Sequence, residues 1–172
     1  MSKLKIFLML TGYQITWLMC VFGEIILKSF LPGIISGLIF LFLVAFFSKN
    51  IKKLIFITIF ISIIGYTFDS FLVSLKIYNF ESSMHIGWLP IWMIVLWPSF
   101  AVLFDEVFNF LFNYKIIAIL LSGVLGPLTY YSGSPLGLIS INQLNLFLFF
   151  MVIFWILLMF FYLNFLLGKK LS

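Results

Sequence analysis

The sequence predicts an all-α polytopic membrane bundle of six transmembrane helices with both termini cytoplasmic, on three observations. Hydrophobic residues make up 65% of the 172 and charged residues only 9%, with a mean hydropathy of +1.28. That leaves too little polar surface to cover a globule in water. The apolar residues come in continuous runs of about 20, enough to cross a bilayer, whereas the strands of a membrane barrel alternate over ~10 residues. The lysines divide unevenly between the two ends of the runs. Lys3, Lys5, Lys49, Lys52, Lys53, Lys115, Lys169 and Lys170 fall on the amino-terminal side, against Lys28 and Lys76 on the other. The positive-inside rule puts the lysine-rich side in the cytoplasm.

One bundle over residues 1–172 is expected, with spans at about 6–27, 31–47, 54–75, 90–112, 116–131 and 144–167. The first follows Lys3 and Lys5 as a signal peptide would, but it runs on to Leu27 with no small-residue cleavage site, so it stays as a span. Cys20, the only cysteine, sits inside that run and reads as a small buried hydrophobe rather than a lipidation site. Within this span Gln14, Trp17, Val21 and Glu24 share one helical side. Glu24 lies four residues before Lys28 near the outer end, a spacing that suggests an interfacial ion pair. In the second span Gly33 and Gly37 mark a face for close helix packing.

The third span aligns Thr58, Ser62, Gly65, Tyr66 and Asp69 into one polar and small-residue stripe. A carboxylate near the bilayer centre costs at least ~3 kcal/mol, so Asp69 is expected to line the bundle interior and to hold or exchange a proton. Lys76 is the one nearby candidate cation. The connection after it, Lys76 to Leu89, is the longest and should lie outside. His85, the only histidine, is read there as solvated.

The fourth span carries Trp92, Ser99, Glu106 and Asn113 at intervals of seven, with Asp105 on another side. Asp105 and Glu106 have no basic neighbour on their own span and are candidate functional acids. The fifth span gathers Gly126, Pro127, Tyr130 and Gly133. Pro127 should bend it, turning Tyr130 into the bundle with Gly133 ending the helix, and Ser122 and Gly126 should pack against a neighbour. Trp88, Trp92, Tyr130 and Tyr131 fall near the outer interface, where aromatic belts form. The sixth span, almost wholly apolar at its centre, is expected to face lipid and carry no chemistry.

The candidate functional residues are therefore Asp69, Glu106, Asp105, Tyr130, Trp92 and Gln14. Gly126, Pro127, Gly133 and Gly137 form a structural motif. One histidine and one cysteine exclude an intrachain disulfide and a Cys/His zinc cluster, and no other metal site is expected. No cofactor is expected either, because no glycine-rich phosphate loop follows a strand and no histidine box is present. The lysines lie in short connections rather than in a groove with interleaved aromatics, which argues against nucleic acid as a partner. The expected partners are membrane lipids and other membrane proteins.

The chain resembles the bacterial membrane proteins grouped as domain-of-unknown-function family 2878. The features that carry the resemblance are Trp17, Cys20, Val21 and Gly23, then Gly65, Asp69, Ser70 and Leu72. Pro90, Trp92, Leu96, Trp97, Phe100 and Ala101 follow. The block Gly126, Pro127, Tyr130, Gly133, Leu136 and Gly137 completes it. Where this chain has Asp105 and Glu106, the family pattern has an Asn-His-Ser-like group. The resemblance implies an integral membrane protein of the bacterial inner membrane, of unsettled activity and associated with lipid modification. Three functions stay open at this point. The first is a component of lipid modification or envelope stress response with an acid-lined intramembrane cavity. The second is a small transporter or substrate-binding membrane subunit, like the S components of energy-coupling-factor transporters, although the first span lacks their alanines. The third is a membrane scaffold or assembly factor.

Overall fold

A computed structural model describes residues 3–166, with the backbone alone at Lys3, Asp105 and Glu106. The chain is mostly helical and contains six α-helices: α1 (Lys3–Leu27), α2 (Leu31–Phe46), α3 (Ile51–Ser74), α4 (Met93–Glu106), α5 (Lys115–Tyr131) and α6 (Leu144–Phe161). Among the described residues, four stretches are long and apolar enough to cross a membrane: Leu4–Leu27, Ile51–Ser74, Phe108–Tyr131 and Leu144–Leu166. Leu31–Phe46 and Met93–Phe104 are shorter apolar helices. The chain is thus a helical membrane protein.

Local chemistry sets several boundaries. Pro32 stands in the first turn of α2, where its missing N–H costs nothing. The Asn50 side chain caps α3 by accepting from the Lys53 N–H at 3.1 Å. α3 ends with Lys76 at φ 56°, the Lys76 N–H on the Val73 carbonyl and the Ile77 N–H on the Leu72 carbonyl. This pair of bonds is a Schellman motif, and it reverses the chain sharply.

The fourth span differs from the sequence reading. α4 stops at Glu106 and a 3-10 segment, Phe108–Tyr114, runs on into α5, so Asn113 does not continue the face of Trp92 and Ser99. The broken end is satisfied from across the bundle, because the Tyr162 hydroxyl donates to the Phe104 carbonyl. A last-turn carbonyl without an intrahelical partner needs such a donor.

α4 packs on α1, α2 and α3, and α5 pairs with α6. The glycines permit the close approaches. A side chain at Gly33 would meet Cys20, one at Gly37 would meet Val95, and one at Gly126 would overlap the Trp155 ring. Ser122 lies 3.0 Å from the Trp155 carbonyl. These positions pack as their spacing predicts. Large side chains such as Phe42, Phe56, Ile116 and Leu157 point outward, as expected of helices facing lipid tails.

The connections hold short strands that the helical reading omitted. β1 (Tyr78–Phe80) pairs antiparallel with β4 (Ile139–Ile141) in the register Tyr78 to Ile141 and Phe80 to Ile139. β2 (His85–Ile86) pairs with β3 (Leu89–Pro90) as a hairpin. The connection that follows α3 is thereby tied to the one that follows α5.

Candidate functional site

Asp69 is fully buried at 0% exposure. α3 carries it inward on the same face as Ser62 and Gly65, which are also buried. Gly65 leaves room for Trp97 of α4: a Cβ there would lie 2.3 Å from the indole ring. The Trp97 Nε1–H then donates to Asp69 Oδ2 at 2.7 Å. The Schellman turn folds the chain back over the end of α3, and the Tyr78 hydroxyl donates to Asp69 Oδ1 at 2.6 Å. From α5, the Tyr130 hydroxyl lies 3.0 Å from each carboxylate oxygen. Three neutral donors, drawn from three separate parts of the chain, therefore surround one carboxylate. An ionised carboxylate only accepts, and it can accept about four such bonds. Burial first, then the Asp69 carboxylate and Tyr130, push the Tyr78 phenol well above its usual range. Tyr78 accordingly remains a donor at neutral pH.

These partners differ from those expected. The stripe on α3 supplies space rather than hydrogen bonds to Asp69. Tyr66 donates to the Ile94 carbonyl at 3.0 Å, while Thr58 Oγ1 and Ser62 Oγ have no partner among the described residues. Lys76 is exposed and occupies the turn rather than pairing with Asp69. No lysine is among the hydrogen-bond partners of the carboxylate.

Tyr130 and Trp97 also line a cavity whose walls include Tyr13 and Trp17 of α1, Trp92 just before α4, Leu96 and Phe100 of α4, and Trp155 of α6. Its volume is about 90 Å³, below the ~300–1,000 Å³ of sites that enclose a whole drug-sized molecule. The walls are dominated by aromatic rings. Trp97 and Trp155 stack at 6.0 Å between centroids, and Phe100 meets Trp155 edge-on at 5.3 Å. The indole N–H groups of Trp92 and Trp155 have no hydrogen-bond partner among the described residues.

Of the sequence candidates, Asp69, Tyr130 and Trp92 converge here. Gln14 is exposed on α1 and is not part of the wall. Asp105 and Glu106 are the last two residues of α4, and their side chains lie outside the described residues. Pro127 and Gly126 are buried within α5, which ends at Tyr131, two residues short of Gly133. Gly137 adopts φ 72° in the following turn, a conformation open to glycine at little cost.

Glu24 corrects the ion-pair expectation. It is 5% exposed and accepts from the Ser82 hydroxyl at 2.6 Å, the Ser83 N–H at 2.9 Å and the Ser83 hydroxyl at 3.1 Å. It fastens the long connection to the end of α1 instead of pairing with Lys28. Trp88 and Tyr131 are exposed at 59% and 49%, whereas Trp92 is 5% exposed. The aromatic-belt reading therefore suits the first two and not the third. His85 Nε2 lies 3.2 Å from the Phe80 carbonyl.

α6 also departs from its expected role. It buries Phe147, Met151, Trp155 and Leu158, and Trp155 forms part of the cavity wall. Tyr78, Trp97 and Trp155 complete the site beyond the candidates the sequence points to. For Trp97 a signal was present, since Met93, Trp97, Ala101 and Phe104 recur at helical spacing and are all buried.

No curated protein and no solved structure matches this chain. A family match covers residues 6–161, nearly the whole length and all of the site just described. The chain belongs to the family described as "Protein of unknown function (DUF2878)".

Proposed function

We propose that this protein is a six-span component of lipid modification or envelope stress response in the bacterial inner membrane, with both termini cytoplasmic. Its cavity would admit a lipid head or chain. The observation that carries this reading is the coupling of the buried Asp69 carboxylate to an aromatic cavity through Tyr130 and Trp97, which belong to both. An intramembrane carboxylate is expensive and marks function by default. Here it fixes the Tyr130 phenol at the cavity wall. With its proton directed to Asp69, that phenol keeps an oxygen lone pair for a ligand. Apolar walls with a few placed polar groups are the usual composition of a site for a largely apolar molecule.

A proton-coupled transporter would use a chain of titratable groups across the membrane. Glu24 is instead engaged with the Ser82–Ser83 connection, and Asp69 is enclosed by tyrosine and tryptophan. These facts favour lipid binding over transport.

The test compares membrane lipids from cells with the gene, without it, and with a Leu96→Trp variant that fills the cavity. Deletion should change at least one lipid species, and the variant should fail to restore it. Unchanged lipids with altered uptake of a solute would favour a transporter. Unchanged lipids and uptake with lost abundance of a partner protein would favour a scaffold.

A further inference from the structure

We propose that residues 78–83 form a strap across the cavity and that Glu24 is its latch, whose release lets α1 part from the strap and the cavity enlarge. The cavity lies between two groups of helices. α1 packs on α2 and α4, while α5 packs on α6. The wall takes Trp17, Cys20 and Val21 from α1, and Thr129 and Tyr130 from α5. The strap reaches from one group to the other. At one end the Tyr78 hydroxyl is bound to Asp69, β1 pairs with β4, and the Glu81 N–H donates to the Leu138 carbonyl at 2.8 Å. At the other, Ser82 and Ser83 give Glu24 of α1 its three hydrogen bonds. Between the two fastenings Phe80 is buried and forms part of the cavity wall, as does Ile139 of β4.

The two fastenings differ in kind. Asp69 is fully buried and its donors are ring side chains, so nothing replaces them unless the bundle unpacks. Glu24 stands in the last turn of α1, and its partner Ser83 is exposed. Water can take the place of the serine donors there, and a hydrogen bond exchanged for one to water changes the free energy little. The strap and α1 therefore part at Glu24 at the least cost. A closed volume of about 90 Å³ gives the parting a use, since enclosing a whole drug-sized molecule takes ~300 Å³ or more. The latch goes beyond the lipid-binding reading and holds whatever the cavity admits.

Cys20, the only thiol of the chain, reports the parting, because it lines the cavity one turn before Glu24 and is 1% exposed. The full-length protein in micelles is treated with a quaternary-ammonium methanethiosulfonate, a charged reagent that needs an aqueous path, and labelling is followed by mass spectrometry. Hydrogen exchange at the Ser83 amide, which donates to Glu24, reports the latch itself. Glu24→Ala should speed both readouts about 10-fold or more, the effect of losing hydrogen bonds to a carboxylate. Ser82→Ala keeps the Ser83 bonds and should give a smaller rise, which remains measurable if Glu24→Ala does not fold. Adding Ser82→Ala to Glu24→Ala should bring no further rise, because both remove one contact. The Glu81 amide should stay protected throughout. Faster Ser83 exchange with unchanged Cys20 labelling would overturn the strap, since the latch would then open without the cavity. Lost protection at Glu81 would overturn it too, by showing that the β1–β4 ladder unfolds instead. Unchanged exchange and labelling in both variants would overturn strap and latch together. No arm contains a lipid, so each of these failures leaves the lipid-binding reading standing.

Discussion

At Asp69 the geometry turns on which partners can reverse their role. A tyrosine hydroxyl can rotate to accept, but the Trp97 indole cannot. Asp69→Asn keeps the size and one carbonyl oxygen, so the amide should settle with that oxygen toward Trp97, where Tyr130 can still donate to it, and its NH₂ toward Tyr78. The Tyr78 hydroxyl proton then loses its acceptor inside the bundle, which should destabilise the protein by about 1–3 kcal/mol. Unfolding in mild detergent measures this. A variant as stable as wild type would refute the hydrogen-bond account, and full complementation of a deletion strain would make proton exchange at Asp69 unnecessary. The burial of Asp69 was legible from the Ser62, Gly65 and Asp69 spacing alone. Its partners were not, because Tyr78 reaches it only through the turn at Lys76. A lysine in a left-handed conformation has no composition signature. Trp97 and Tyr130 lie 28 and 61 residues away, beyond what the periodicity of one helix can report.

Among the secondary-structure elements, the approach of α5 to α6 depends on Gly126, where an added Cβ would sit 2.2 Å from Trp155 Cγ. The indole is itself held between Trp97 and Phe100, so it cannot swing away cheaply. Gly126→Ala should cost about 1–3 kcal/mol as overpacking and should alter near-ultraviolet dichroism from the displaced tryptophan. A normal spectrum with normal stability would show that the seam relaxes freely. The existence of the helices was readable because apolar runs of that length have few alternatives in a membrane. The end of α4 was not. The interval of seven from Trp92 to Asn113 suits an unbroken helix, and nothing local shows that Tyr162 will take up the Phe104 carbonyl. In α6, an apolar helix without a polar face, periodicity cannot say which side packs inward, and so Trp155 went unrecognised. Strands of two or three residues are too short to display an alternation.

For the molecule as a whole, two contacts bear on how many times the chain crosses the membrane. Glu24 at the end of α1 binds Ser82 and Ser83, so the number of crossings between them must be even. α3 is long enough to cross, which supports a crossing by the shorter α2. β1 pairs with β4, so the crossings between those strands must also be even. The Phe108–Tyr131 stretch is long enough to cross, which in turn supports a crossing by α4. α2 has 16 residues, about 24 Å at ~1.5 Å per residue. That is shorter than the ~30 Å hydrocarbon core, a mismatch that local thinning or flanking residues can absorb at modest cost. The six proposed crossings would satisfy both contacts, and on the positive-inside rule the lysine distribution would then orient the termini toward the cytoplasm. A reporter fused after Phe80 should accordingly signal the outer side, and reporters fused after Lys49 and after Ser172 the cytoplasmic side. If the Lys49 and Phe80 fusions gave the same signal, α3 would not cross, the Glu24 contact would then require that α2 not cross either, and the count of six would fall to four.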